Sequence, residues 1–230
     1  MAKNKDSFTG NSEFKFEEIL SNIEQWFNKN QKILTISVVA VIAVVGIVLG
    51  YKYLYQMPLE EEAADNVFYA QRMIEVDSLN LALNGDGNHV GFLEIIDNYS
   101  GTDAANIAKF YVGVIYLKQG QYEDAIEYLE RFKAHGDLFL APLSQSLLGD
   151  AYAESGDNET ALKCYDKAIK CKKNDVVIPD ILVKAATLCD ISGDYKKALS
   201  YYETLRKDYI GTQQAQNADK FIAMLEEKMK

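Results

Sequence analysis

The chain has 230 residues, 48% of them hydrophobic and 25% charged, and a formal net charge of −10. The first 32 residues balance five lysines against five carboxylates, so the acidity lies downstream, where it argues against a nucleic-acid role. With only two histidines, and no HExxH, CxxC, GxSxG or phosphate-cradling glycine loop, no cofactor, metal, small-molecule substrate or enzymatic activity is expected.

Residues 1–32 read as a cytoplasmic arm. In it Phe16, Ile19, Leu20, Ile23, Trp26 and Phe27 recur at helical spacing between Glu17, Glu18 and Glu24. The polar face of this amphipathic helix is acidic, which suits packing on a partner or lying at an interface better than adsorption to anionic lipid. An uncharged run extends from Ile33 to Tyr51, bracketed by Lys32 and Lys52. As a helix its 19 residues reach about 28 Å, close to the hydrocarbon thickness of a bilayer. Trp26, Phe27, Tyr51, Tyr53 and Tyr55 supply aromatic ends for the interface. Residues 33–55 are therefore expected to be a transmembrane signal anchor: 32 residues precede the run, it exceeds a usual signal-peptide core, and no small-x-small cleavage site comes after it. Lys15, Lys29 and Lys32 outnumber Lys52 and Arg72, placing the amino terminus in the cytoplasm and everything after Tyr55 outside it. Gly46 and Gly50 form a small-xxx-small pair at which a second membrane helix would find close approach.

Residues 56–101 read as leading helices that cap the downstream part of the chain. A long helix is expected from Leu59 to about Leu83, opening after Pro58 and turning Ala63, Val67, Ala70 and Ile74 to one side. Asn84 to Asn88 breaks it, and Val90 to Tyr99 forms a second, short helix. The oxygen-rich stretch of the break lacks the rest of a calcium-loop pattern and is read as a turn.

The most informative pattern lies in residues 102–211. Gly120, Gly156 and Gly193 are each followed five residues later by an alanine, Ala125, Ala161 and Ala198, at intervals of 36 and 37 residues. Gly113 and Tyr116, then Leu148, Gly149 and Tyr152, precede the first two of these glycines, and Leu129, Tyr165 and Tyr202 come after the alanines. Small residues are needed where the two helices of a hairpin cross, and a glycine that accepts a left-handed conformation ends the first helix. The register resembles three tetratricopeptide repeats, with Cys189 where a tyrosine usually sits. Pro142 and Pro179 fall where first helices begin, a position at which the missing N–H costs nothing. The expected fold is all-α: one amino-terminal transmembrane helix, then a solenoid of helix-turn-helix repeats, closed by a capping helix over residues 212–230 that turns Ala215, Ala218, Phe221, Ile222 and Leu225 inward. Cys164 and Cys171 are too far apart for a disulfide; Cys164 and Cys189 lie on neighbouring helices, and buried thiols are the expected state, with that bridge left open.

A solenoid of this kind offers a concave groove lined by fixed positions of each first helix. These are Ile107, Phe110, Val114 and Leu117, then Leu143, Ser146, Asp150 and Glu154, then Asp180, Val183, Thr187 and Asp190. The stripe is apolar at one end and acidic toward the other, suited to basic or apolar peptides, unless the leading helix covers it. The whole arrangement, with "NYSGTDAANIAKFYVGVIYLKQGQYEDAIEYL" over Asn98 to Leu129, resembles the ancillary Sec-translocon subunit family of Gram-negative bacteria in a form typical of Bacteroidetes. "KDYIGTQQAQNADKFI" is similar to a linking element of periplasmic repeat proteins. That resemblance implies an inner-membrane protein with a periplasmic repeat domain, whose partners are Sec translocon components, a periplasmic folding factor or secreted clients. Two roles fit: a tethered, chaperone-like scaffold for emerging chains, or a structural adaptor in envelope assembly or cell division that binds one folded partner.

Overall fold

The computed structural model describes the backbone from Gly10 to Lys230 and the side chains from Ile19 onward. Phe16, Glu17 and Glu18 of the amphipathic stripe, and Lys15 of the orientation-setting lysines, thus lie outside the described side chains, and residues 1–9 lie outside the described residues altogether. Every described element is helical, and the chain divides into two compact units that meet between Pro58 and Leu59.

In the first unit, α1 runs from Gly10 to Tyr51 without interruption. Ile19, Leu20, Ile23, Trp26 and Phe27 are exposed along it, and so is nearly all of the apolar run from Ile33 to Tyr51. Among the described residues of this unit none buries this run; by length and composition it is able to cross a membrane. The helix then widens into a π turn, Lys52–Gln56, in which the Met57 N–H donates to the Lys52 carbonyl. Pro58 is the physical cause. It has no N–H to offer the Leu54 carbonyl, and its ring would strike that carbonyl in a regular α ladder, so the ladder shifts by one residue ahead of it. The turn leaves the rings of Tyr51 and Tyr55 stacked with centroids 5.4 Å apart.

The second unit starts at Leu59, inside α2 (Met57–Glu75), and continues with α3 (Leu79–Asn84) and α4 (Phe92–Asn98). The single helix anticipated from Leu59 to Leu83 is therefore two. Asp77 takes a left-handed φ of 57° and breaks it. Ala63, Val67 and Ala70 are buried against Phe92, Ile95, Ala104, Ala105 and Ala108, while Ile74 is only partly covered. Glu60 of α2 accepts hydrogen bonds from the backbone N–H groups of Asp103 and Ala104, both at 2.7 Å, so the leading helix caps the next helix directly.

Three hairpins come next: α5 (Asp103–Lys118) with α6 (Tyr122–Arg131), α7 (Leu140–Glu154) with α8 (Asn158–Ile169), and α9 (Ile178–Ile191) with α10 (Tyr195–Asp208). Within each, the turn glycine is left-handed, with φ of 74° at Gly120, 92° at Gly156 and 80° at Gly193. The second helix is then capped by a short polar side chain in two of the three: Asp157 accepts from Thr160 N at 3.0 Å and Asp194 from Lys197 N at 3.1 Å. Ala125, Ala161 and Ala198 are wholly buried where the helices cross. The tightest points are opposite them: a β-carbon built on Gly113 would lie 2.6 Å from Leu129 Cγ, and one on Gly149 2.5 Å from Tyr165 Cε1. The closing segment also differs from expectation. It is a short α11 (Gln213–Gln216) and then α12 (Ala218–Lys228), which buries Ala218, Ile222 and Leu225 against α10 and stacks Phe221 on Tyr202 at 5.0 Å.

Candidate interaction surface

The exposed stripe anticipated on the first helices is only partly an open groove. Phe110, at 6% exposure, is a core position; Ser146, at 2%, is largely covered but lines the cleft between α7 and α9. Phe110 packs on Phe132 with ring centroids 5.3 Å apart and belongs to the interface between the first and second hairpins. Ala134 and Leu140 pack against the same cluster. Ile107, Val114, Leu117, Leu143 and Val183 are half-buried, and Glu154, Asp180 and Thr187 are exposed. The leading helix docks on the α5 face that carries Ala104, Ala105, Ala108 and Val112, which at 100° per residue lies on the far side from Val114 and Leu117.

The anticipated acidity of the stripe is largely neutralised from within. Asp150 accepts from the Tyr165 hydroxyl at 2.8 Å and from Lys184 Nζ of the next hairpin at 2.6 Å. Asp190 holds Lys228 Nζ of α12 at 2.6 and 2.8 Å, and Asp180 accepts from Gln214 at 2.6 Å. One step further out, Asp166 accepts from Tyr201 at 2.5 Å and sits 3.5 Å from Lys197. Apart from the Tyr165 bond, which lies within one hairpin, these bonds join residues 31 to 38 positions apart, about one repeat, and tie each hairpin to the next hairpin or to the closing helices. Partial burial and the adjacent carboxylate hold the Tyr165 and Tyr201 phenols well above the ordinary tyrosine range, so both remain donors at any physiological pH. The hydrogen bond to Glu130, with some burial, likewise raises Tyr152 to about 12.

Two clefts remain on this side. The first, about 520 Å³, lies between Ile107 of α5 and the linker Phe132–Asp137, with Lys133 and His135 on its rim. Asn106 braces that linker by donating to the Lys133 carbonyl at 2.7 Å and accepting its N–H at 3.0 Å. The second, about 460 Å³, lies between α7 and α9, floored by Leu143 and Val183, walled by Phe139 and Val176, and edged by Asp180 and Lys184. Phe139, Val176 and Lys184 were not anticipated as lining residues. The legible signal was a large apolar residue standing just ahead of each proline-bearing first helix, where solvent would favour a polar one.

Asp137 caps α7, accepting from the N–H groups of Phe139 and Leu140 at 2.7 Å each, and these bonds hold its carboxyl below the usual range. A carboxylate with a depressed folded pKa contributes stability above the unfolded value near 4, lost as pH falls through the folded pKa. Asp137→Ala should therefore lower the melting temperature at pH 7, with the difference from wild type shrinking once the pH drops below about 4. Circular-dichroism melts at pH 7, 4 and 2.5 check this; a difference constant over the series would show that the charge is not involved.

Other singled-out residues have structural duties. Asp86 in the Asn84–Asn88 loop accepts from Tyr69 OH at 2.6 Å and from the N–H groups of Asn88 and His89, which holds its carboxyl far below the usual range and leaves little capacity for a cation. Among the described residues, no group of three or more His, Cys, Asp or Glu side chains is placed to hold a metal ion. Cys164, Cys171 and Cys189 are free thiols, and burial pushes Cys189 up to about 11, leaving it protonated and a poor nucleophile. Open space surrounds Gly46 and Gly50.

Comparison with known proteins agrees with this construction. Tetratricopeptide-repeat family models match residues 92–138 and 144–175. A TPR repeat-containing protein of Methanocaldococcus jannaschii, MJ1428, is 25% identical over 150 residues, 65% of this chain. The chain spans about a quarter of that relative's length. The crystal structure of MamA protein superposes with a TM-score of 0.52 at 18% identity, covering 73% of this chain and 92% of that one; a second MamA crystal structure gives 0.43 over 60% and 85%. At that identity the likeness concerns the fold alone, and with the repeat matches it leads to one conclusion. The chain carries tetratricopeptide repeats, assembled as an all-helical solenoid.

Proposed function

We propose that this chain is a membrane-anchored scaffold whose repeats hold polypeptide segments outside the cytoplasm. Tetratricopeptide repeats are protein-interaction modules, a typically non-enzymatic architecture. The observation that carries the finer reading is the cleft between α7 and α9: Leu143 and Val183 form an apolar floor, and its edge carries Asp180 together with Lys184, so the carboxylate there is offset by a cation of the same cleft. An unpaired acid would select basic segments. A neutralised one leaves shape and hydrophobicity to decide, which suits weak capture of many unfolded chains. The run from Ile33 to Tyr51 supplies the anchor, and the lysine bias supplies the orientation. Association with the Sec channel or a periplasmic folding factor rests on the sequence resemblance.

A photo-crosslinking residue at Val183, used in intact membranes, tests this. Phe110 is unsuitable because it is buried. A spread of secretory precursors supports the scaffold; one stoichiometric folded protein would replace it with an adaptor; no product at all would remove the cleft from either role. Val183→Asp should reduce the captured material at least about tenfold, the loss expected when a charge enters an apolar contact centre. Protease added to spheroplasts should digest the repeats; protection would reverse the topology.

A further inference from the structure

The two edges of the solenoid differ in character. At one edge lie the loops that lead from each hairpin to the next; at the other lie the glycine turns within hairpins. The two inter-hairpin loops and the loop from the third hairpin to α11 carry exposed aliphatic tips: Leu138, Val176 at 70% exposure and Ile210 at 76%. The loops are bonded in series. Asn174 Nδ2 donates to the Leu138 carbonyl at 2.9 Å, and Lys173 Nζ donates to the Asp208 carbonyl at 2.9 Å while lying 5.2 Å from the Tyr209 ring centre. The three tips therefore stand side by side on one edge. Residues 131–139, 170–177 and 206–210 hold seven lysines and arginines against three carboxylates. The glycine turns at the other edge, residues 118–124, 154–159 and 190–197, invert the ratio, with three cations against seven carboxylates. Helix dipoles favour cations in the last turns of α6, α8 and α10, but Lys133, Lys172 and Lys173 stand beyond those ends, and no dipole favours bare valine or isoleucine in water.

We propose that this edge docks on an anionic lipid surface, the three aliphatic tips entering the headgroup boundary and the flanking lysines pairing with lipid phosphates. The chemistry is that of peripheral membrane binding: apolar burial plus attraction of clustered cations to anionic lipid. The opposite edge, with its reversed charge, is repelled, so docking also sets which way the concave side faces. Net acidity of the chain does not oppose it, because charges beyond a Debye length of about 8 Å are screened at physiological salt. The lipid is close at hand if the apolar run before Lys52 anchors the chain, and to that extent the inference rests on the proposed function. Val176 also walls the cleft between α7 and α9; Ile210 does not line it, and it is the cleaner reporter.

The test uses the full chain with Trp26, its single tryptophan, replaced by phenylalanine, and one new tryptophan at either Ile210→Trp or Ile191→Trp. Ile191 sits on the opposite edge and is equally exposed, at 77%. Each variant is reconstituted into vesicles whose anionic lipids carry brominated acyl chains, and flotation is measured separately. Docking predicts strong quenching at position 210, little at 191, loss of quenching when the anionic lipid is replaced by zwitterionic lipid carrying the same brominated chains, and about fivefold weaker docking for Lys172→Gln. Flotation with equal or absent quenching at the two positions overturns the edge proposal and leaves the anchor standing. Failure to float overturns both.

Discussion

Gly149→Ala should destabilise the repeat domain by about 2 kcal/mol and lower its melting temperature by about 4–8 °C, although alanine is the better helix former by about 1 kcal/mol. The intrinsic gain is overridden by space. The new β-carbon would lie 2.5 Å from Cε1 and 2.7 Å from Cδ1 of Tyr165 and 3.1 Å from the Ala161 carbonyl oxygen. That ring has nowhere to go: it is buried, and its hydroxyl is fixed to Asp150, which is itself fixed to Lys184. The strain therefore spreads into the joint between the second and third hairpins. Two controls isolate the cause. Gly156→Ala meets open space but a φ of 92°, so it should lose only about 1 kcal/mol, through backbone strain. Tyr165→Leu combined with Gly149→Ala should cost clearly less than the sum of the single changes, since the collision is gone in the pair. Thermal melts of the full chain in one detergent measure wild type, the three single variants Gly149→Ala, Gly156→Ala and Tyr165→Leu, and the pair, and a Gly149→Ala protein as stable as wild type would remove the close crossing from its place in the fold.

The same crossing explains what the sequence made legible. Glycine and alanine at fixed spacing are read because only small residues permit helix contact there, so hairpin number, turn positions and register came from the letters. Helix interruptions did not. Nothing around Asp77 is a strong breaker; beyond it Leu79, Ala82 and Leu83 join the core shared with α4 and α5, a tertiary packing that periodicity does not reveal. The candidate groove was read with less success, for a related reason. Position within a repeat tells which side a residue faces, but not how far the neighbouring hairpin reaches. Phe110 lies on the correct side of α5 and is covered by Phe132, a residue of the linker whose path the periodicity leaves undetermined. Asp150 and Asp190 lie on the expected side as well, yet each is claimed by a lysine one repeat downstream, a pairing visible only once the superhelical stagger is known. Polar letters at groove positions thus served cohesion between hairpins, and the surface left for partners shifted toward Leu143, Val183 and the loop residues that wall them.

A larger effect is expected in the first unit. Ile42→Lys combined with Val45→Lys puts two ammonium groups near the centre of the apolar run, each costing about 3 kcal/mol at mid-membrane in addition to the lost apolar contribution. Together they should shift insertion by about four to five orders of magnitude, since every 1.4 kcal/mol is a factor of ten. Among the described residues of this unit none is placed to shelter them, since the run is exposed along nearly all its length. With a tag at each end of the chain, alkaline carbonate extraction of membranes reads the outcome. The unaltered protein should stay in the pellet with both tags attached; loss of the amino-terminal tag would mean a cleaved signal segment in place of an anchor. The double-lysine protein should move to the supernatant. Gly46→Leu with Gly50→Leu should remain pelleted, because it removes close helix approach while keeping the run apolar. Pelleting of the lysine variant to the wild-type extent would show that some other surface holds the chain on the membrane, and the basic, aliphatic-tipped edge of the solenoid would then be the first place to look.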